Sequence, residues 1–313
     1  MYVANDCVTS FMNFVIRMKQ TFYTHPKDNL IKRFPILSFI ALTFFISHIV
    51  NPVLVELISI LLPNLSFSFP LSQLNSNSLI NQYGPGISAL IIVYNIYGSN
   101  GIQSTMSHCK LNFTFLKWLL LSLFLPLFMI LISFCLAGIG LADLLSILVN
   151  NWKLYALITG GFILSAGLAE EYGWRGFMLP QLLKNYSPAK ATFFIFVIAS
   201  IWHFPALLSG WKNEPLIPWI ILSLSIAVVH SWLFCMSGGN ILIAIAFHSC
   251  FDAQYSFFSN FIPSNLVEHK PFHQGWTYII LYCVLAFAII LFTKGNLGFT
   301  KERLDIDKYF GER

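Results

Sequence analysis

Long apolar runs, hardly interrupted by charge, decide what this 313-residue chain can fold into. A water-soluble domain carries about 25% charged residues to cover its surface. Here Asp, Glu, Lys and Arg amount to 10%, against 57% hydrophobic residues. That balance excludes a soluble enzyme, a disordered chain and a nucleic-acid-binding domain. The net charge of +5 is not a polyanion patch, because the bases are scattered and follow the loops. A transmembrane barrel would alternate in segments of about ten residues, whereas these runs are uniform. The chain therefore reads as an all-α, polytopic integral membrane bundle. Cys7, Cys109, Cys135, Cys235, Cys250 and Cys283 form no CxxC pair and read as small hydrophobes without a disulfide framework. The first 33 residues lack an apolar h-region with a cleavage site, so no cleavable signal peptide is expected.

A helix needs about 20 mainly apolar residues to span a bilayer. We read eight such runs, at 34–62, 84–97, 115–141, 154–171, 189–208, 217–236, 240–258 and 277–293. Pro52 predicts a kink or break in the first. With the N-terminus in the cytoplasm, fifteen of the eighteen Lys and Arg residues fall on the inner side and three, Lys153, Lys212 and Lys270, outside. This bias places both termini in the cytoplasm, with Pro63–Asn81 outside. The expected organisation is a cytoplasmic segment 1–33, a bundle over 34–293 and a cytoplasmic tail 294–313. Phe11, Met12, Phe14, Val15 and Ile16, near Arg17 and Lys19, suit a short interfacial helix. Trp211, Trp219 and Trp276 suit the interfacial aromatic belt, and Met236-Ser237-Gly238-Gly239 a tight turn between two helices.

An ionisable side chain in hydrocarbon costs from about 2.5 to more than 10 kcal/mol, so it needs a partner or a task. The apolar runs hold Glu56, Glu170, Glu171 and Asp252 and the histidines His48, His203, His230 and His248, with Arg175 just past the fourth run. Glu171 and Arg175 are four apart and share a helical face. Glu170 is turned about 100° away, which leaves it unpaired for general-base chemistry. Both carboxylates are expected near a helix C-terminus, where they oppose the macrodipole. His248 and Asp252, also four apart, form a carboxylate–imidazole pair. Each group alone has a plainer reading: a salt-bridged helix end, a core histidine, a polar pair fixing helix packing. Together they put carboxylates and imidazoles on three helices, as hydrolysis inside a membrane requires. At about 1.5 Å per residue, Glu170 and His248 fall in the inner half of a core about 30 Å thick, so the site opens toward the cytoplasm. Glu56, His48 and His230 carry no motif. Glu56 suits the interface, and His230 either lines the cavity or, the preferred reading, serves packing.

At these residues the sequence resembles the CAAX-protease and bacteriocin-processing (CPBP, or Abi) family of intramembrane endopeptidases, relatives of the type II CAAX prenyl endopeptidase. The family pattern is Glu-Glu-x-x-x-Arg, then Phe/Trp-x-x-x-His, then His-x-x-x-Asn/Asp. Here it falls on Glu170, Glu171 and Arg175, on His203, and on His248 and Asp252. Tyr83-Gly84-Pro85, Pro180-Gln181-Leu182 and Trp202-His203-Phe204-Pro205 agree, and the likeness spans about residues 80–260. The resemblance implies peptide-bond hydrolysis in the bilayer of a cell (inner) membrane. Glu170 would activate water, His203 would help hold it, and His248 with the residue at 252 would stabilise the oxyanion. Glu171 and Arg175 would tune the site. The substrate would be a peptide or membrane protein, such as a prenylated tail or a bacteriocin leader. No His-Glu-x-x-His occurs, so a zincin site is not expected; a divalent metal such as zinc on Glu170, His203 and His248 stays open.

The sequence departs from the pattern twice. Ala199 replaces the aromatic residue four before His203, and Asp252 stands where many members have Asn. An ionised Asp cannot donate to an oxyanion, so Asp252 is expected to orient His248. Two other classes fit part of the pattern: a non-proteolytic immunity or scaffold protein of the same family, and a proton-coupled transporter. The latter predicts repeats with broken helices in both halves, which the sequence lacks.

Overall fold

The computed structural model describes residues 30–61, 82–109, 111–208, 216–262 and 274–311; among them every regular element is helical. After a single turn at Leu30–Arg33 come α1 (Pro35–Phe45), a π-turn at Ile46–Val50, α2 (Asn51–Leu61), α3 (Gly84–Ser107) and α4 (Phe113–Leu136). Beyond them lie α5 (Leu141–Asn150), α6 (Trp152–Phe162), a π-turn at Ile163–Gly167, α7 (Leu168–Gly173), a second π-turn at Trp174–Met178 and α8 (Leu179–Leu183). The last four are α9 (Pro188–Leu208), α10 (Leu216–Met236), α11 (Ile241–Phe258) and α12 (Gln274–Phe292).

Six described stretches are long and apolar enough to cross a membrane: Pro35–Ile58, Phe113–Leu136, Trp152–Leu183, Pro188–Leu208, Leu216–Met236 and Ile241–Phe258. The chain is an integral membrane protein built as an all-α bundle. Exposed Phe45, Leu120, Phe124, Phe128 and Phe287 would be a liability in water but face hydrocarbon here. The expected second and eighth spans appear as α3 and α12. The second half of α3 is too polar for a span by composition, and the apolar part of α12, Trp276–Phe292, is short. The expected interfacial segment before residue 30, the stretch Pro63–Asn81, and Trp211, Lys212 and Lys270 lie outside the described residues.

Several expectations need correction. The run at 154–171 does not end at Glu171: the helix continues through the second π-turn to Leu183. Glu170 and Glu171 are thus mid-helix, where the next turns take up their carbonyls, and no macrodipole end opposes them. The run at 115–141 stops at Leu136, and Leu141–Asn150 forms a separate short helix with Asp143 in its first turn, a favourable place for an acid. α3 is kinked at Gly98, whose φ of 68° is not helical, so its first stretch ends where the expected run at 84–97 does; a second stretch continues to Ser107, with Gly101 and Thr105 buried. Trp219, expected as an exposed belt residue, is buried against the bundle, 8% exposed. Pro52 neither breaks nor ends its helix. Its ring would crowd the carbonyl of His48, and the π-turn at Ile46–Val50 absorbs that clash.

The core has two parts. α4, α10, α11 and α12 share one, around Ile130, Phe134, Val229, Phe247, Phe257 and Tyr282. α1, α3, α7, α8 and α9 share the other, around Phe39, Ile92, Trp174, Phe177, Leu182 and Ile195. α11 is the most buried span and packs on α4, α6, α7 and α10. The tail after α12 folds back onto the bundle. Leu304, Tyr309 and Phe310 are buried in the second core, with Tyr309 stacked on His108 and Phe310 on Tyr97. It seals the expected tight turn between α10 and α11, where Gly238 (φ 73°) and Gly239 (φ 81°) adopt a conformation that favours glycine.

Candidate active site

The site is built on α7, the helical turn that the two π-turns isolate within Trp152–Leu183. A π-turn inserts a residue into the helical ladder and re-aims the side chains of the next turn. α7 can then be gripped on two sides. On one side the start of α3 lies against its backbone: a Cβ on Gly173 would come within 2.6 Å of the Pro85 carbonyl carbon, and one on Gly86 within 2.5 Å of the Ala169 oxygen. Only glycine permits that approach. Tyr83, at the head of α3, donates its hydroxyl hydrogen to the Leu164 carbonyl in the first π-turn. On the other side α11 brings Ile245 and Ser249 against Gly167.

This clamp buries Glu171 completely (0% exposed). Its Oε1 accepts from Arg175 Nη1 at 2.9 Å, the expected i,i+4 pair, and from His248 Nδ1 at 2.7 Å across to α11. A carboxylate oxygen only accepts, so Nδ1 of His248 carries a proton. The other ring nitrogen, Nε2, is 3.5 Å from Asp252 Oδ2, one turn on. His248 is thus held between two carboxylates from different helices.

Glu170 points elsewhere, as the 100° offset predicts. Its carboxylate is buried and accepts from Trp174 Nε1 at 3.4 Å, and it lies within electrostatic reach of Glu171, His248 and Asp252. Trp174 packs edge-on against Trp202, ring centroids 5.9 Å apart, and Trp202 against His203 at 4.6 Å. Trp219 closes the other side of the His203 ring at 5.8 Å. His203 Nδ1 donates to the Ala199 carbonyl at 2.8 Å. So His203 and Glu170 share an aromatic wall, while Glu171, Arg175, His248 and Asp252 form a polar knot beside it. His48 reaches the same wall, 6.3 Å from the Trp202 ring, and Glu56 is exposed on α2.

Sequence reasoning underweighted one member. His230 on α10, read as packing in preference to lining the cavity, is 3% exposed, with Nε2 4.0 Å from Glu171 Oε1 and its ring 5.4 Å from that of His248. A signal was available: α10 and α11 form a hairpin about Gly239, so His230 and His248, nine residues to either side, must come level. Glu171, His230 and His248 each offer one ligand atom, all within 4.8 Å of one another, and could coordinate a divalent metal. The donor set fits such an ion: two imidazoles and a carboxylate are common zinc ligands. Both ring nitrogens of His230 and Oε2 of Glu171 are buried without a hydrogen-bond partner. This set shares His248 with the expected trio of Glu170, His203 and His248, but takes Glu171 and His230 as the others.

Residues 150–254 match the family described as Type II CAAX prenyl endopeptidase Rce1-like. All six motif residues, from Glu170 to Asp252, lie within the matched stretch. A curated relative, CAAX prenyl protease 2 of Methanococcus maripaludis, is 24% identical over 129 residues, covering 38% of this chain and 48% of the relative. The chain thus spans about half the length of that relative. The resemblance to the CAAX-protease and bacteriocin-processing family drawn from the motifs stands on both matches.

Proposed function

We propose that this protein is an intramembrane endopeptidase of the CAAX-protease type, hydrolysing a peptide bond with a water activated by Glu170. The observation that carries this reading is the division of labour between the adjacent glutamates. Arg175 and His248 both engage Glu171, while Glu170 is turned to a separate wall of the site, bound by the indole of Trp174. A general base must be held in place yet keep a lone pair for the proton it takes. Glu170 meets both conditions.

Glu170 removes a proton from water as the water attacks the scissile carbonyl. His203, fixed by its bond to Ala199, orients that water through Nε2. The N–H of His248 stabilises the developing oxyanion, a task for preorganised donors in a low-dielectric site. Glu171 and Asp252 hold the imidazole at the angle this needs. Glu170 then returns its proton to the leaving amine. Where a divalent ion is bound, Glu171, His230 and His248 would hold it, and it would supply Lewis-acid polarisation of the carbonyl.

The substrate is a peptide or membrane-protein segment reaching the site within the bilayer, such as a prenylated tail or a bacteriocin leader. The excess of Lys and Arg supports both termini and the mouth of the site at the cytoplasmic face. The test is cleavage of a fluorogenic prenylated peptide by purified protein in liposomes. Glu170→Gln keeps the shape and removes the base, so kcat should fall by about 10²–10⁴-fold. A non-catalytic relative that kept the polar core predicts no difference between the two proteins.

A further inference from the structure

We propose that His48 and Trp202 form a substrate-binding subsite that grips one peptide unit of a chain entering from the bilayer between α1 and α9. The subsite rests on the hydrolase reading, since it adjoins the wall that Glu170 and His203 share, and it says where their substrate lies.

Two buried polar atoms there have no partner. Trp202 is 5% exposed, yet its Nε1 makes no hydrogen bond. His48 hydrogen-bonds to the Trp202 backbone, which holds the two rings 6.3 Å apart, and its Nε2 is likewise buried without a partner. Buried polar groups are nearly always paired. Two open positions on one ring pair mark a place that a further molecule completes. An indole N–H only donates, whereas an imidazole nitrogen can accept. A peptide unit offers the matching pair, a C=O for Trp202 and an N–H for His48.

The fold keeps this pair in register with the glutamates. His48 lies on the π-turn at Ile46–Val50, and such a turn re-aims the side chains it carries. A Cβ on Gly84 would strike the Ser47 side chain and stand 3.0 Å from the Thr43 carbonyl oxygen, so the head of α3 presses on that turn. Two residues on, Gly86 presses in the same way on Ala169 of α7. One helix head therefore sets both His48 and Glu170. Trp202 in turn packs edge-on against Trp174, which binds Glu170, and against His203. A peptide gripped by Trp202 would lie beside the general base. His48 stands outside the stretch that matches the family, so no motif reports it.

A way in from the bilayer leads to the same place. Among the described residues, α9 packs on α8 and α10, whereas the backbones of α1 and its π-turn hardly approach it. The His48–Trp202 ring contact bridges this seam. Apolar side chains are exposed on both elements that border it: Phe45 and Ile49 on one, Ile201 and Phe204 on the other. A membrane-borne chain parting this seam meets the two rings first.

The test measures binding apart from cleavage. Full-length Glu170→Gln protein in nanodiscs is titrated with a fluorescent prenylated peptide. It is also titrated with a series in which each backbone amide in turn becomes an ester, which removes one N–H without adding bulk. An ester at one linkage should weaken Kd about 3–10-fold, and esters elsewhere should not. His48→Phe, added to this protein, keeps a flat ring and removes both nitrogens. It should weaken the all-amide peptide by the same factor and abolish the ester penalty at that linkage. Trp202→Phe, which removes the indole N–H, should weaken the all-amide peptide about as much. Asp143→Asn, exposed on α5, should bind as its parent does. Unfolding temperature and a monodisperse elution profile establish that each variant is folded. An ester scan without a position-specific loss would overturn the proposal. So would parental affinity in folded His48→Phe or Trp202→Phe, or a His48→Phe variant that keeps the full ester penalty, as a merely structural role predicts. If the binding pattern holds while wild type fails to cleave, the peptide subsite stands and the hydrolase reading falls.

Discussion

Asp252 shows how much one side chain can settle. It sits a helical turn from His248 and within 3.5 Å of its Nε2, so its effect on chemistry runs through the imidazole. Asp252→Ala should lower kcat by at least about tenfold and leave KM nearly unchanged. Asp252→Asn, which keeps an acceptor in place, should fall between Ala and wild type in the same steady-state assay. Equal activity in all three would remove Asp252 from the site. The pairs Glu171–Arg175 and His248–Asp252 were legible in the sequence because both are four apart on one helix, where spacing alone puts side chains together. The bond between Glu171 and His248 was not, since 77 residues separate them and only the packing of α7 on α11 joins them. His230 lay between these cases: the glycine turn that folds α10 onto α11 brings it level with His248, a relation spacing within one helix does not reveal.

The element that matters most is the continuous stretch Trp152–Leu183, where two π-turns bracket the glutamates. Hydropathy located its apolar first half but set its end at Glu171, because polarity rises there. The helix persists since that polarity is internally paired, and its backbone is buried between α3 and α11. The π-turns themselves leave no periodic trace, because the packing of neighbouring helices imposes them. Gly173 makes this testable. A methyl group there collides with the Pro85 backbone, which has no side-chain freedom to give. Gly173→Ala should therefore cost about 1–3 kcal/mol, as overpacking does, seen as a lower unfolding temperature in detergent. Cleavage should fall with it. Unchanged stability would mean that α3 does not pack on α7 as described.

At the scale of the whole molecule, scarcity of charge located the protein in a membrane and exposed its few buried ionisable residues as candidates. It said nothing of the tail, which reads as polar and cytoplasmic yet contributes buried Leu304, Tyr309 and Phe310 to the core beneath α7. Removing residues 297–313 should uncover that core and lower the unfolding temperature. The Tyr309 phenol is buried, with its hydroxyl 3.5 Å from the Gly239 carbonyl, and burial holds its pKa well above the usual value. An acid neutral in the folded state and raised in pKa stabilises fully below its unfolded pKa of about 10, and that contribution is lost as pH rises through the folded value. Stability should thus decline above about pH 10 in wild type, and less steeply in Tyr309→Phe; parallel declines would show that the tail does not depend on this phenol.

If Glu170 activates water to cleave a peptide bond within the bilayer, the oxygen of that water must enter the product, and isotope incorporation reads this without intermediaries. Wild type and Glu170→Gln, reconstituted in liposomes, are given a prenylated peptide in ¹⁸O-labelled water, and the products are read by mass spectrometry. Wild type should release a fragment whose new carboxylate carries one labelled oxygen, while Glu170→Gln should release none above background. Labelled product at equal rates from both proteins would exclude Glu170 as the base.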